Sequence, residues 1–155
     1  MTTIAYKDGT MAADSQLTRG DTIPMFGTCK IIENDGWLIG VAGDLADIVR
    51  IENALAWHLS ETTAEGTGKT EKRALTAIGK DCNDAQLLVV TPTYQVYEFD
   101  MSRIGVLINL PFYAIGSGAD FALGAMEAGA TARRAVEVST KFDIRSGGQI
   151  NTAEH

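Results

Sequence analysis

Strand-like segments and segments with helical periodicity come in alternating blocks along this chain, and their order restricts the fold more than any single motif. Thr2 to Tyr6 and Thr10 to Asp14 flank Lys7-Asp8-Gly9, where Asp-Gly supplies a tight reversal, so the start reads as a hairpin. Met25 to Ile32 and Trp37 to Ala42 are β-branched or apolar runs bounded by Gly or Asn-Asp-Gly, and predict two further strands. At Gly43 the period changes. Asp44 is placed to cap a helix whose positions Leu45, Ile48, Ile51 or Glu52, Leu55 and Leu59 recur at helical spacing, to about Ser60. Thr62 to Thr70 reads as an exposed loop and Glu71 to Lys80 as one short helix. Gln86 to Thr91 and Tyr94 to Phe99 form a second hairpin around Thr91-Pro92-Thr93, and Leu110 to Ile115 adds a strand. After Gly116-Ser117-Gly118, the Ala-rich segments Ala119 to Ala128 and Thr131 to Phe142, parted by Gly129, predict a helix pair; a last strand follows Gly147-Gly148. No repeat or linker interrupts the series. The order strands, helices, strands, helices, strand predicts a single α+β domain over residues 1–155, with two antiparallel sheets covered by helices.

Charge and inventory narrow the function classes. A net charge of −7 argues against a nucleic-acid or anionic-membrane surface, which needs clustered Lys or Arg, so the expected partners are proteins or small molecules. The apolar stretch from Ile104 to Ile115 is broken by Asn109 and Pro111 and is too short to cross a bilayer; with no signal-peptide pattern, a cytoplasmic protein is expected. Cys29 and Cys82 are far apart and not in a CxxC, which predicts buried free thiols in a reducing compartment. Two histidines leave little room for imidazole chemistry: His58 lies on a predicted helix and His155 is the last residue, where chains fray. Metal sites built on His are excluded by the same count. Gly116-Ser117-Gly118-Ala119-Asp120 lacks both the P-loop Lys and the dinucleotide-binding Gly spacing, so no cofactor is expected.

What remains is the amino end. Met1 precedes Thr2, a small residue of the kind before which the initiator is removed, and its removal would give Thr2 a free α-amine beside its own hydroxyl. An amine with an ordinary pKa of about 7.7 to 8 is suited to take the proton of a poor hydroxyl nucleophile. The same tripeptide is also an ordinary β-branched strand start. Asp14 and Lys30 lie in largely apolar, strand-like settings, either as a mutually compensating pair or as two solvent-facing charges. A Lys⁺ near the amino end would lower the amine's pKa and favour its basic form.

Read together, Thr2-Thr3-Ile4, Ala13-Asp14, Gln16, Thr18, Gly20, Lys30-Ile31, Ala42-Gly43, Ala114-Ile115-Gly116-Ser117-Gly118, Asp143 and Ser146-Gly147-Gly148 resemble, in family order, the proteasome β-type subunits, and at the start the bacterial HslV-type peptidases. Lys30 follows Asp14 by 16 residues (30 − 14), the family's spacing. The resemblance implies the four-layer α-β-β-α sandwich of the N-terminal nucleophile hydrolases and a threonine peptidase cleaving unfolded polypeptide. It makes Thr2 the nucleophile and its amine the base, with Lys30 depressing the amine's pKa and Asp14 orienting Lys30. The Gly43 N–H becomes the oxyanion donor, Ser117, Asp143 and Ser146 hydrogen-bond around the amine, and Val41 lies at the base of the S1 pocket, implying apolar P1 residues. It also implies a ring homo-oligomer and an ATP-dependent unfoldase partner. The opening hairpin is shorter than the family's, yet equal shortening of both strands preserves side-chain parity, so Thr2 still faces Asp14. The segment from Glu61 to Asp84 is shortened too, which leaves ring size open. While Met1 remains, the amine is blocked. A noncatalytic assembly subunit and a small-amide hydrolase of the same superfamily are the alternatives.

Overall fold

Asp8 and Gly9 both adopt positive φ, 50° and 79°, the backbone of a two-residue hairpin loop whose twist matches that of its strands. They join β1 (Thr3–Lys7) to β2 (Thr10–Ala13), with Ile4 opposite Ala13 and Lys7 opposite Thr10. The structure is a computed structural model and describes residues 2–19, 22–25, 27–61 and 67–155. A short hairpin, β3 (Leu17–Arg19) and β4 (Thr22–Met25), stands apart from the main sheets. One five-stranded antiparallel sheet follows chain order: β5 (Ile31–Asn34), β6 (Trp37–Ala42), β7 (Gln86–Val90), β8 (Val96–Phe99) and β9 (Val106–Leu107). The other is built around the first hairpin. Here β10 (Phe112–Gly116) pairs with β1 and β11 (Asn151–Glu154) with β2, giving the order β10-β1-β2-β11.

Alternation along the strands assigns each face to a layer. Ile4, Tyr6, Met11 and Ala13 meet Leu38, Leu88 and Val90 between the two sheets. Ala5, Ala12 and Ala114 point the other way, onto Ala122, Met126, Ala135 and Val136 of α3 (Ala119–Glu127) and α4 (Ala132–Phe142). Small alanines on that sheet face let the helices approach closely. On the opposite side, Ile39, Val41, Leu87 and Val89 meet Ile48, Ile51, Leu55, Ala74 and Ile78 of α1 (Leu45–Glu61) and α2 (Thr67–Asp81). The result is the expected α-β-β-α sandwich with three apolar layers. Among the described residues no helix is long and apolar enough to cross a membrane.

Several local expectations are corrected. The strand expected over residues 25–32 is broken: β4 ends at Met25, Phe26 lies outside the described residues, Gly27 adopts φ 94°, and the next strand starts only at Ile31. Thr67 to Thr70 belongs to α2 rather than to a loop, because helical pairing extends the amphipathic segment by a turn. At the start of α1 the helix-end bond is made by Asp47, whose Oδ2 accepts the Asp44 N–H at 2.8 Å. Leu45, expected to be apolar-facing, is 46% exposed. His155 does not fray: its N–H donates to the Gly9 carbonyl at 2.9 Å and its ring lies 3.9 Å from that of Tyr94. Cys82 is buried, which pushes its thiol up to about 11, whereas Cys29 is exposed.

Gly40 of β6 sits where the sheets touch, and an added Cβ would come within 2.6 Å of Ile4 Cγ2. Gly124, on α3, would meet nothing within 4 Å. We predict that Gly40→Ala destabilises the fold by about 1–3 kcal/mol through overpacking. Gly124→Ala is expected to stabilise it by about 0.5–1 kcal/mol through reduced backbone freedom in the unfolded chain. Urea unfolding of both variants checks the pair; equal effects of one sign would contradict this packing.

Candidate active site

Thr2 immediately precedes β1 and Asp14 immediately follows β2, so the hairpin register brings them together from 12 residues apart. The ladder runs one step further, with the Asp14 N–H donating to the Thr3 carbonyl at 3.2 Å. Lys30 immediately precedes β5, and its carbonyl accepts the Val41 N–H at 2.9 Å, one step beyond the pairing of β5 with β6. All three are almost completely buried, Asp14 at 0% and Thr2 and Lys30 at 2% exposure. Burial at that depth is tolerable only with every polar atom matched.

The matching is complete on the two charged groups. Asp14 Oδ1 accepts the Thr2 hydroxyl, the Thr3 N–H at 3.0 Å and Lys30 Nζ at 2.9 Å. Its Oδ2 accepts the Gln16 N–H at 3.2 Å and the Gly147 N–H at 2.9 Å. Lys30 Nζ uses its remaining two protons on the Gln16 carbonyl at 2.7 Å and on Thr2 Oγ1 at 2.5 Å. Burial lowers the Lys30 pKa below that of an ordinary lysine, while the charge and hydrogen bond of Asp14 and the more distant charge of Asp143 oppose the fall. Chemically, an ammonium donating to a hydroxyl oxygen makes that oxygen easier to deprotonate.

A second cluster closes the other side of Thr2. Ser117 and Ser146 each donate a hydroxyl proton to Asp143 Oδ2 at 2.6 Å, and the Arg145 N–H donates to Oδ1 at 3.1 Å. Burial pushes the Asp143 carboxyl up, but these bonds outweigh it and hold the pKa below the ordinary aspartate value. With the Ser146 proton committed to Asp143, Thr3 must be the donor in the 2.7 Å contact between their hydroxyls. Ser117 Oγ lies 3.4 Å from the Thr2 carbonyl. The preceding Gly116 has φ 90°, and a Cβ there would collide with that same carbonyl, so only glycine allows the strand end to pass Thr2.

Thr2 borders a cavity of about 480 Å³ lined also by Ala42, Gly43, Asp44, Asp47, Asp84, Gln86, Gly116 and Ser117. Gly43 therefore stands at the cavity with Thr2, and a side chain there would meet Asp47 Oδ2 at 2.6 Å and Ala85 Cβ at 2.9 Å. A larger cavity of about 620 Å³, between α2 and β8, contains none of these residues. Among the described residues no group of three His, Cys, Asp or Glu is placed to hold a metal. The structure thus brings together Thr2, Asp14 and Lys30, with Ser117, Asp143 and Ser146 beside them and Gly43 across the cavity.

Val41 is the exception. It is wholly buried on the face of β6 turned to α1 and α2, packed with the helix-side core, and does not line the cavity. Strand alternation sends it away from Thr2, and the apolar floor expected from it is replaced by Gln86 and three carboxylates. Sequence reasoning gave no role to Gln16, Gly147 or Gln86. Gln86 accepts the Gly116 N–H at 3.0 Å and donates to Glu98 at 2.6 Å, while Tyr113 donates to the other Glu98 oxygen at 2.7 Å, a bond that pushes its phenol up to about 12. A polar residue opening an apolar strand was the available signal. Gly20 lies outside the described residues, as does the side chain of Thr18.

No family model matches the chain. The chain is 33% identical over 138 residues to the ATP-dependent protease subunit HslV of Enterococcus faecalis, covering 79% of this chain and 71% of that protein. It is 31% identical over 141 residues to the subunit of the same name from Pediococcus pentosaceus, covering 86% of this chain and 74% of that one. Among solved structures, HslV from Trypanosoma brucei superposes with a TM-score of 0.74 at 25% identity over 99% of both chains. Thiobacillus denitrificans BPH, at 18% identity and a TM-score of 0.72 over 98% of this chain and 95% of that one, shares the fold.

The buried pair sets a stability expectation. Lys30→Met leaves the Asp14 carboxylate buried without its counter-ion and is predicted to cost about 3–5 kcal/mol. Adding Asp14→Leu to that variant is predicted to recover a large part of the loss, because the uncompensated charge is gone. Urea unfolding of the double-mutant cycle measures this, and purely additive losses would mean that the two groups are not coupled.

Proposed function

Because the chain belongs to the HslV family of proteasome β-type subunits, we propose that it is the peptidase core subunit of a ring-shaped protease, with Thr2 as the nucleophile. The observation that carries this reading is the contact of Lys30 Nζ with Thr2 Oγ1 at 2.5 Å, held by the buried Asp14. A buried lysine aimed at a threonine hydroxyl serves no packing purpose, and it favours turnover over a scaffold role.

Removal of Met1 would free the Thr2 amine. In the proposed reaction that amine takes the Oγ1 proton as Oγ1 adds to the scissile carbonyl. The Gly43 N–H would receive the negative charge that develops on the carbonyl oxygen. The amine then passes the proton to the departing nitrogen, leaving an ester on Thr2. A water molecule activated by the same amine would hydrolyse the ester and regenerate the hydroxyl. Lys30 acts by charge: it favours the neutral amine and the developing alkoxide, and Asp14 fixes its position. Ser117, Asp143 and Ser146 form a hydrogen-bonded wall that is proposed to hold the amine in line with the hydroxyl.

Polypeptide is the proposed substrate, delivered in unfolded form by a partner that uses ATP, a reading supported by the chain's similarity to subunits of ATP-dependent proteases. A closed ring fits the surface: Phe121 and Phe142 stack at 5.6 Å, and Ile144, two residues after Phe142, is 87% exposed, apolar surface suited to burial between copies. The proposed compartment is the cytoplasm.

Protein from the native host is predicted to lack Met1 by intact mass, and to gain one β-lactone adduct per chain. Folded Thr2→Ala is predicted to gain none and to lose peptide hydrolysis. Undiminished hydrolysis by that variant would remove Thr2 from the reaction.

A further inference from the structure

Among the described residues, the walls of the Thr2 cavity carry three carboxylates, Asp44, Asp47 and Asp84, and no cationic side chain. Their charges are not equally committed. Asp47 accepts the Asp44 N–H at the start of α1 and pairs with Arg50, so it answers the positive end of the helix and a guanidinium. Asp44 and Asp84 are both exposed to the space beside Thr2, and among the described residues neither carboxylate has a partner.

The uncharged polar groups around the cavity strengthen the same asymmetry. The Gly116 N–H must donate to Gln86 Oε1, which fixes the amide's orientation and turns its nitrogen to Glu98. The Thr2 hydroxyl donates to Asp14 and that of Ser117 to Asp143. Among the described residues the cavity's hydroxyl donors, those of Thr2 and Ser117, are thus already used, and the charged side chains left without a partner, Asp44 and Asp84, are negative.

We propose that this cleft selects polypeptides carrying Arg or Lys immediately beside the scissile bond, with Asp44 and Asp84 as the specificity-determining residues. The inference rests on the peptidase reading above and deepens it by naming the substrate class. A guanidinium or ammonium entering the cleft meets two unpaired carboxylates, whereas a large apolar side chain would strip water from them without return. The preference depends on charge and therefore weakens as salt rises.

The test digests denatured casein with the assembled, Met1-free protein and maps every cleavage site by mass spectrometry, which reads both sides of the cut bond. Arg and Lys are expected to be enriched about fivefold or more over their abundance at the position before or after the cut. In Asp44→Asn/Asp84→Asn that enrichment is expected to fall to near background, while β-lactone labelling of Thr2 shows that the variant is folded. Sites dominated by apolar residues, or an Arg and Lys enrichment that the double variant leaves intact, would overturn the assignment while leaving the peptidase reading in place. Failure to cleave casein at all, together with no labelling of Thr2, would sink the peptidase reading and this preference with it.

Discussion

A single buried ion pair, Lys30 with Asp14, ties the beginning of the chain to the rest of the molecule. Neither charge would survive at that depth alone, and the surrounding backbone is arranged to supply what water would otherwise give. Asp14 receives N–H groups from Thr3, Gln16 and Gly147, which come from three separate parts of the chain. Lys30 is held by the Gln16 carbonyl and so has little freedom left except toward Thr2. Stability and chemistry therefore depend on the same contacts. Loosening the pair would cost folding free energy and misplace the charge that acts on the Thr2 hydroxyl.

The sandwich exists to hold that arrangement. The Asp8-Gly9 turn fixes the register that sets Thr2 and Asp14 side by side. The absence of a side chain at Gly40 lets the two sheets meet just behind them. Gly116 ends β10 against the Thr2 carbonyl, and Ser117 follows directly to join the Asp143 cluster. Each is a place where backbone geometry, rather than a reactive side chain, determines whether the chemistry is possible.

Much of this was legible in the sequence because it rests on period and punctuation. The hairpin, β6 and the helix pair after Gly118 followed from alternation, Asp-Gly and Ala-rich spacing, and two sheets covered by helices from the order of elements, while the four-layer stacking came from the family resemblance. The family pattern supplied Thr2, Asp14, Lys30, Gly43, Ser117, Asp143 and Ser146, which the fold then gathered. Features that depend on where a strand stops were not legible. β4 ends at Met25 and β5 begins only at Ile31, directly after Lys30, yet residues 25–32 are largely strand-like in composition. Val41 was assigned to the pocket by the family resemblance, whereas alternation within β6 turns it to the helices. For Gln86 and Glu98 the sequence offers only a polar residue opening an apolar strand, since their partners Gly116 and Tyr113 lie on the other sheet and only tertiary structure joins them.

The central claim is that one residue, Thr2, supplies both nucleophile and base. A peptide epoxyketone tests it most directly, because ring closure on the protein needs a hydroxyl to add to the ketone and a neighbouring free amine to open the epoxide. Mass spectrometry of the N-terminal fragment from the treated, Met1-free protein is expected to find the inhibitor joined to Thr2 through both Oγ1 and the α-nitrogen. An adduct on any other residue, or none on a protein that still hydrolyses peptides, would contradict the account.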